Sequence, residues 1–367
     1  MDLDLTPEQR LLAETLDDLL DKRYPPNERL ALLRSDDGWS RAMWEQYAAL
    51  GLLGLPFAEE HGGAGMGAAE LLVVAESFGK ALVLEPYLPT VVLGGSLVAA
   101  AGTQAQQAQV LPRVADGSLL LAFAYAEPSS RWALAASGTR YANGRISGAK
   151  VTVIGGDRAH RLVVTAADPS GTTGLYLVDA QGVRRDGYAM QDGLRGADVV
   201  FDDAPAEPLG SGGDALPVVR RVLDLATAYL CAEAVGAMER MLAMTVEYLK
   251  TRVQFGHPIA VFQALQHRAA DMYVSVEQSR SMALLARLAL APEQDDDARH
   301  LAIRAAKVQI DLASRHVSQE AIQLHGGIGM TMEYPVGHYA KRVAVIAKTF
   351  ADTDLLVTEL GAAGGLT

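Results

Sequence analysis

The sequence predicts an α+β fold in three parts: an N-terminal helical domain, a middle antiparallel sheet or barrel, and a C-terminal antiparallel helical bundle. Three observations lead to this prediction. Apolar residues recur at three- and four-residue spacing as far as about residue 116, short strand-like runs follow, and helical periodicity then returns. We therefore expect domain boundaries at 1–116, 117–212 and 213–367.

The N-terminal domain opens with a recognisable helix start. Thr6 is predicted to be the N-cap, Pro7 takes the first helical position, and Gln9 has the spacing of a capping box. Five leucines follow at the spacing of a buried stripe: Leu11, Leu12, Leu16, Leu19 and Leu20. The segment is acidic and lacks the basic and apolar blocks of a signal peptide, so we expect a cytoplasmic protein.

The middle domain is predicted from short runs bounded by Gly, Asp and Asn: "LLLAFAY", "GRISGAKVTVIG", "HRLVVTAA", "GLYLVDA" and "ADVVFDD". Because no helical pattern separates these runs, an antiparallel sheet or small barrel fits them better than a parallel α/β sheet. No G-x-G-x-x-G follows a strand, so a Rossmann nucleotide site is not predicted.

The C-terminal domain contains three long helical patterns. The first ends at Phe255-Gly256-His257-Pro258, since Pro disfavours helical geometry in the residue before it. The third begins with three acidic residues, which suit a helix N-terminus, and ends at Gly326-Gly327, which suit a C-cap. These helices are expected to form an antiparallel bundle.

The overall composition narrows the class of partner. A net charge of −12 and a pI near 5.1 argue against binding to nucleic acid or an anionic membrane. The apolar runs are interrupted by Gly and are too short for a membrane span. The single cysteine, Cys231, lies in an apolar run and is expected in the core. The histidines lack the spacing of metal ligands, so no metal is predicted.

Two segments at helix ends carry the residue types that a dinucleotide requires. A guanidinium can bind a pyrophosphate, an aromatic ring can pack, amides can form hydrogen bonds, and Gly allows close backbone approach. The ordinary alternative is a solvated arginine and a simple helix cap. We predict cofactor binding by Arg252, Gln254, Phe255 and Gln263 in the first segment and by Gln323, Leu324, His325, Gly326 and Gly327 in the second.

The sequence resembles the FAD-dependent acyl-CoA dehydrogenases along essentially its whole length. The matching motifs are "LTPEQRLL", "LGLLGLPFAEEHGGAGMG", "AYAEP", "NGRISGAK", "LRGADVVFDD", "RVQFG" and "QLHGG" followed by "IGMTMEYPV". The resemblance implies an FAD cofactor, an acyl-CoA substrate and an electron-transfer flavoprotein as acceptor. It also implies removal of an α-proton by a carboxylate and transfer of a β-hydride to flavin N5, which gives a trans-2-enoyl-CoA.

In the family that the sequence resembles, FAD lies across two subunits. One subunit supplies the flavin-ring pocket and the base, while its neighbour's Arg-Phe-Gly and Gln-Gly-Gly segments hold the ADP end. The chain departs from the first half of this pattern: Ala126 replaces the threonine of T-E-P, and Thr152-Val153-Ile154 replace Trp-Ile-Thr. Ungapped counting places Phe350 at the usual glutamate, and Ala226 takes the second known base position. The catalytic base is therefore unknown.

This uneven loss resembles one chain of the paired α2β2 dehydrogenases of actinobacterial steroid side-chain catabolism. We predict a base-less subunit that holds the ADP end of FAD while a homologous partner supplies the glutamate. Two alternatives stay open: a self-sufficient homotetramer with a relocated base, Asp352 or Asp354 with Glu359 nearby, and a non-enzymatic scaffold without FAD. The sequence leaves the acyl group open between a steroid side chain and a fatty acyl chain.

Overall fold

The computed structural model describes residues 4–130 and 132–364. The chain divides into two compact units: the first combines Met1–Arg29, Ala68–Val83 and Thr227–Thr367, and the second combines Leu30–Gly67 and Leu84–Ala226. Along the chain, helices precede a sheet and helices follow it, which confirms the predicted fold class. The linear domain boundaries stay a prediction.

The α-helices, in chain order, are α1 (Pro7–Arg23), α2 (Pro26–Leu33), α3 (Arg41–Ala49), α4 (Ala68–Ala81), α5 (Ser96–Ala101), α6 (Gln104–Ala115), α7 (Leu216–Thr251), α8 (Gln263–Ala289), α9 (Asp296–His325), α10 (Val336–Ile346) and α11 (Thr353–Ala362). A π-helix spans Leu88–Gly95, and 3₁₀ turns occupy Leu52–Gly54, Glu59–His61, Ile259–Val261 and Gly326–Met330.

The strands are β1 (Leu121–Ala124), β2 (Arg140–Ala142), β3 (Arg145–Ile154), β4 (Arg161–Ala167), β5 (Thr173–Asp179), β6 (Arg184–Ala189), β7 (Arg195–Pro205), β8 (Glu207–Pro208), β9 (Val253–Gln254) and β10 (His257–Pro258). The last two form a separate two-stranded hairpin at the end of α7.

Helix α1 confirms the predicted start but corrects the predicted stripe. The Gln9 amide donates to Thr6 Oγ1 at 3.2 Å, and Thr6 N donates to Gln9 Oε1 at 3.1 Å, which completes the capping box. Leu16 and Leu20 are buried, whereas Leu11 is 64% exposed. With 3.6 residues per turn, Leu11 points away from the face that Leu16 and Leu20 share, so it was wrongly assigned to the stripe.

In the first unit, two glycines allow α4 and α7 to approach closely. A Cβ at Gly79 would lie 2.0 Å from the Glu233 carbonyl oxygen, and one at Gly236 would lie 2.0 Å from the Glu76 carbonyl oxygen. A buried ion pair then joins α7 to α10, because Arg342 binds the Glu233 carboxylate at 2.6 and 2.7 Å. These contacts fix α7, the helix that ends directly before Arg252.

The second unit contains an open, mixed sheet with strand order β6-β7-β3-β2-β4-β5-β8, and β1 also pairs with β4. Of the two predicted forms, a sheet or a small barrel, the structure has the sheet, and the barrel alternative is wrong because the sheet is not closed. Most pairs are antiparallel, as expected, but β1 and β2 pair with β4 in parallel. All five predicted strands are present. Strands β2 and β6 escaped prediction because they are mostly exposed and polar.

The core of the sheet is built from alternating apolar residues that include Ile146, Leu162, Val164, Val199 and Phe201, each at most 2% exposed. Cys231 in α7 is 1% exposed, as the sequence predicts. Among residues 4–130 and 132–364, no helix combines the length and the apolar character needed to cross a membrane.

Candidate functional site

The "RVQFG" segment forms a tight hairpin directly after α7. The Arg252 amide donates to the Tyr248 carbonyl at 2.8 Å, and the Ile259 amide donates to the Arg252 carbonyl at 2.9 Å. Between β9 and β10 the two loop residues both have positive φ, 54° at Phe255 and 81° at Gly256. Positive φ at both central positions is the requirement of a type I′ turn, for which Asn-Gly is the preferred pair.

Phe255 is unusual in this turn. A bulky residue in the left-handed region is a steric outlier, and such strain costs about 1–3 kcal/mol. The side chain is nevertheless 88% exposed, and its ring meets Phe262 edge to face at 6.0 Å. The turn therefore holds the Phe255 ring at the surface of the chain, against Phe262.

The residues around Phe255 are exposed and include the positively charged Arg252. Arg252 is exposed, and within the described residues its guanidinium makes no ion pair or hydrogen bond. Gln263 is exposed at the first position of α8, a helix that begins without a side-chain cap. A helix N-terminus carries partial positive charge, so this region favours an anionic group. Gln254 is also exposed and donates to its neighbour, the Val253 carbonyl, at 2.9 Å.

The "QLHGG" segment forms the end of α9. The Gly326 amide donates to the carbonyls of Gln323 and Ile322, and Gly326 has φ 64°, so a glycine suits this cap. Gln323, Gly326 and Gly327 are exposed, and no atom would lie within 4 Å of a Cβ added to either glycine. The backbone here is open to close approach.

The predicted cofactor residues thus divide into two groups. Seven are exposed: Arg252, Gln254, Phe255, Gln263, Gln323, Gly326 and Gly327. Leu324 and His325 are 6% and 3% exposed, and their side chains pack inside the first unit. A role of these two in cofactor binding would therefore act through their backbone or through their neighbours, and their assignment stays a prediction.

The "AYAEP" loop in the second unit contains a buried ion pair. The Glu127 carboxylate is buried and accepts hydrogen bonds from the amides of Ser137, Gly138 and Thr139 at 2.7–3.1 Å and from the Ser137 hydroxyl at 3.0 Å. The Lys150 ammonium, itself fully buried, binds Glu127 at 3.1 Å and also donates to Tyr125 O and Thr165 Oγ1.

Burial alone would raise the pKa of Glu127, but the hydrogen bonds from Gly138 and Thr139 and the charge of Lys150 outweigh it and lower the pKa to about 2. The carboxylate is therefore ionised and saturated with donors, so it is unsuited to accept a substrate proton. Sequence reasoning missed this ion pair, although the glutamate of "AYAEP" and the lysine of "NGRISGAK" are both in quoted motifs. The two residues are 23 positions apart in the sequence, and only the folded chain brings them together.

The "VTVIG" segment, at the position of the family's Trp-Ile-Thr, provides few groups for a flavin. Thr152 has φ 51° at an irregularity of β3 and donates its amide to Asp198 Oδ1 at 3.0 Å. Val153 is 2% exposed and belongs to the sheet core. Ala126 is half-buried, and its carbonyl accepts from the Val151 amide at 2.9 Å. Arg131, which follows the "AYAEP" loop in the sequence, lies outside the described residues.

The positions expected for a base hold no carboxylate. Ala226 is fully buried in α7, and Phe350 has φ 66° in the segment after α10. Among the relocated candidates, Asp352 is 6% exposed and caps α11 by accepting from the Leu355 amide at 3.0 Å. Asp354 is exposed, and Glu359 pairs with Arg304.

Comparison with known protein families identifies the family of this chain. The acyl-CoA dehydrogenase N-terminal domain model matches residues 6–118, and the C-terminal domain model matches residues 213–348. The chain belongs to the acyl-CoA dehydrogenase family. This is a family of oxidoreductases, and the resemblance drawn from the sequence is confirmed.

Three similar proteins are informative. The acyl-CoA dehydrogenase IpdE2 of Mycobacterium tuberculosis is 33% identical over 341 residues, which cover 92% of each chain. The Tcur3481–Tcur3483 steroid ACAD is 31% identical with a TM-score of 0.88, covering 98% of this chain and 99% of that one. The ChsE4–ChsE5 complex from Mycobacterium tuberculosis is 25% identical with a TM-score of 0.90, covering both chains fully.

Structures of the same fold include flavin complexes. A glutaryl-CoA dehydrogenase from Mycobacterium smegmatis, determined with FADH2, has a TM-score of 0.88 and 20% identity, covering 98% of this chain and 95% of that one. At this identity the comparison establishes the shared fold.

Proposed function

We propose that this chain is the base-less subunit of a heteromeric, FAD-dependent acyl-CoA dehydrogenase. Its hairpin and the end of α9 hold the ADP end of an FAD whose flavin ring lies in a homologous partner. The partner supplies the glutamate that removes the substrate α-proton. This chain therefore contributes to catalysis by binding the cofactor and by assembling with the partner.

One observation supports the proposal: this chain has the residues expected to hold the ADP end of FAD but has no carboxylate at either expected base position. Phe255 is exposed in a strained turn beside a guanidinium without an ionic partner in the described residues. By contrast, the base positions hold Phe350 and Ala226, neither of which can accept a proton. A chain that served its own flavin would need the base, whereas a chain that serves a neighbour needs only the residues for the ADP end.

The exposed residues fit the ADP end of FAD. Arg252 can form charge-assisted hydrogen bonds with the pyrophosphate, and the uncapped start of α8 at Gln263 adds favourable partial charge. The Phe255 ring offers a flat apolar surface, and Gly326 and Gly327 leave room for a close backbone contact. When bound, FAD accepts the hydride from the substrate.

The substrate class and partners follow from the same proposal. The substrate is an acyl-CoA, and the names of the Tcur3481–Tcur3483 steroid ACAD and the ChsE4–ChsE5 complex favour a steroid-type acyl group and a two-chain assembly. An electron-transfer flavoprotein would reoxidise the flavin, and the reaction would take place in the cytoplasm.

The experiment that tests the proposal is co-expression of this chain with each homologous acyl-CoA dehydrogenase of the same genome that retains a base glutamate. Flavin absorbance and native mass are measured for the lone chain and for each pair. We expect a flavin-free lone chain and a yellow complex with one partner, in which two copies of each chain share two flavins. Replacing the partner's glutamate by glutamine should abolish turnover while the flavin stays bound.

A homomer with one flavin per chain and acyl-CoA oxidation would overturn the proposal. In that case the base would have to be sought at Asp352 or Asp354. The observed role of Asp352 as the cap of α11 weighs against it, because a capping carboxylate is already engaged by the helix N-terminus.

A further inference from the structure

Three aromatic rings adjoin the two segments proposed to hold the ADP end: Tyr248 is four residues before Arg252, and His325 directly precedes Gly326. Tyr248 is in the last turn of α7, His325 is the last residue of α9, and Tyr334 precedes α10. The Tyr248 and His325 rings stack with centroids 4.6 Å apart, and His325 and Tyr334 are 4.8 Å apart. Tyr248 and Tyr334 meet edge to face at 6.3 Å, so the three rings form one Tyr-His-Tyr cluster.

Hydrogen bonds at both ends fix the histidine of this cluster. His325 Nδ1 lies 2.7 Å from the Ala321 carbonyl oxygen, which can only accept, so Nδ1 carries the proton. Nε2 is then an acceptor, and the Tyr334 hydroxyl at 3.2 Å donates to it. Burial lowers the pKa of His325, which agrees with a neutral ring in this tautomer.

The cluster is directly connected to both segments. The Tyr248 carbonyl accepts the hydrogen bond from the Arg252 amide at 2.8 Å, so the residue that stacks on His325 also binds the backbone of the first hairpin residue. His325 is followed immediately by Gly326, the left-handed cap of α9. The stacked rings therefore link the backbone before the hairpin to the backbone of the Gly326 cap.

We infer that Tyr248, His325 and Tyr334 are positioning residues, which set the separation between Arg252 and the Gly326-Gly327 turn before FAD binds. This inference rests on the proposed function. A ligand that contacts both segments binds more tightly when their separation is already correct, because less conformational freedom is lost on binding. The rings act through the two segments and need not touch FAD themselves.

The test is the affinity of FAD for the purified complex of this chain with its partner. Tyr334→Phe keeps the ring and removes only the hydroxyl that donates to His325. Loss of one such hydrogen bond should weaken FAD binding roughly three- to tenfold. The matched control is Tyr339→Phe, which removes the hydroxyl that donates to the Lys80 carbonyl in the same unit. The control should leave FAD affinity unchanged.

A double-mutant cycle separates positioning from general stability. If Tyr334 acts by placing Arg252, adding Tyr334→Phe to Arg252→Ala should weaken FAD binding less than it does in the wild-type complex. The inference is overturned if the two effects multiply independently, or if Tyr339→Phe weakens FAD binding equally. If Arg252→Ala alone leaves FAD affinity unchanged, the assignment of the ADP end fails, and the inference fails with it.

Discussion

The hairpin after α7 and the "AYAEP" loop of the sheet unit contrast in how they satisfy their polar groups. In the loop, Glu127 is surrounded by donors from its own chain and is 3% exposed. In the hairpin, Arg252 has no side-chain partner among the described residues, and Phe255 is 88% exposed. The loop thus satisfies its charged groups within the chain, whereas the hairpin leaves a charged and an aromatic side chain exposed.

This difference explains why the two regions should respond differently to substitution. Removing a group that the fold satisfies leaves its former partners buried and unpaired, which reduces stability. Removing a group that the fold leaves exposed costs little stability and is measured in binding. The following predictions test that distinction, beginning with the largest free energy.

Glu127→Gln should strongly destabilise the chain. The substitution leaves the Lys150 ammonium buried without an opposite charge and turns an amide NH2 toward donors that now have no acceptor. Loss of one partner from a buried ion pair costs about 3–5 kcal/mol. Urea denaturation of the free chain would measure the loss. The control is Asp203→Asn, which breaks the exposed ion pair with Arg145 on the same sheet and should cost no more than about 1 kcal/mol. Equal effects would contradict a stabilising role for Glu127.

The same carboxylate should make stability depend on acid pH. Because its pKa is about 2 in the folded chain against 4.5 for an unperturbed glutamate, its stabilisation is fully present above pH 4.5 and is lost as pH falls toward 2. The shift corresponds to roughly 3 kcal/mol. Other acids titrate in this range, so the measurement is the difference between wild-type and Glu127→Gln unfolding free energies across it. A difference independent of pH would show that Glu127 keeps an ordinary pKa.

In the hairpin, Arg252→Ala should reduce the FAD affinity of the assembled complex while leaving the unfolding temperature of the free chain unchanged. A hydrogen bond to a charged group contributes about 1.5–3 kcal/mol, which corresponds to roughly ten- to a hundredfold in Kd. Fluorescence titration with FAD would measure it. Arg23→Ala is the control, because Arg23 is likewise exposed at the end of a helix. A comparable loss with Arg23→Ala would indicate a nonspecific charge effect.

Much of this fold could be predicted from residue patterns, because caps and apolar periods are local. The capping box of Thr6 and Gln9 and the end of α9 at Gly326 follow from a few neighbouring residues. Exposure of a single position, such as Leu11, depends on the exact helical phase and was missed. The open sheet edge and the parallel pairing of β4 depend on long-range contacts that no local pattern specifies.

The residues of the candidate site could likewise be predicted only in part from the sequence. Arg252 and Phe255 could be selected from their motif, and the structure adds that both are exposed. The inward side chain of His325 could not be foreseen, because burial of a polar ring depends on the two tyrosines that cover it. Neither tyrosine lies at a helical or strand spacing from His325 in the sequence, so the spacing contained no signal that the three rings form a cluster.

The last prediction separates stability from binding at one residue. Phe255→Asn should stabilise the free chain by about 1 kcal/mol, because Asn tolerates the left-handed conformation and Asn-Gly is the preferred type I′ pair. In the complex the same change should weaken FAD binding, because the aromatic surface is lost. Denaturation of the free chain and FAD titration of the complex measure the two effects. Leu11→Asn is the control: it replaces another exposed apolar side chain in ordinary helical backbone, so it should not raise stability. If Phe255→Asn were destabilising, Phe255 would be supporting its own fold, and the contrast between the hairpin and the Glu127 loop would not hold.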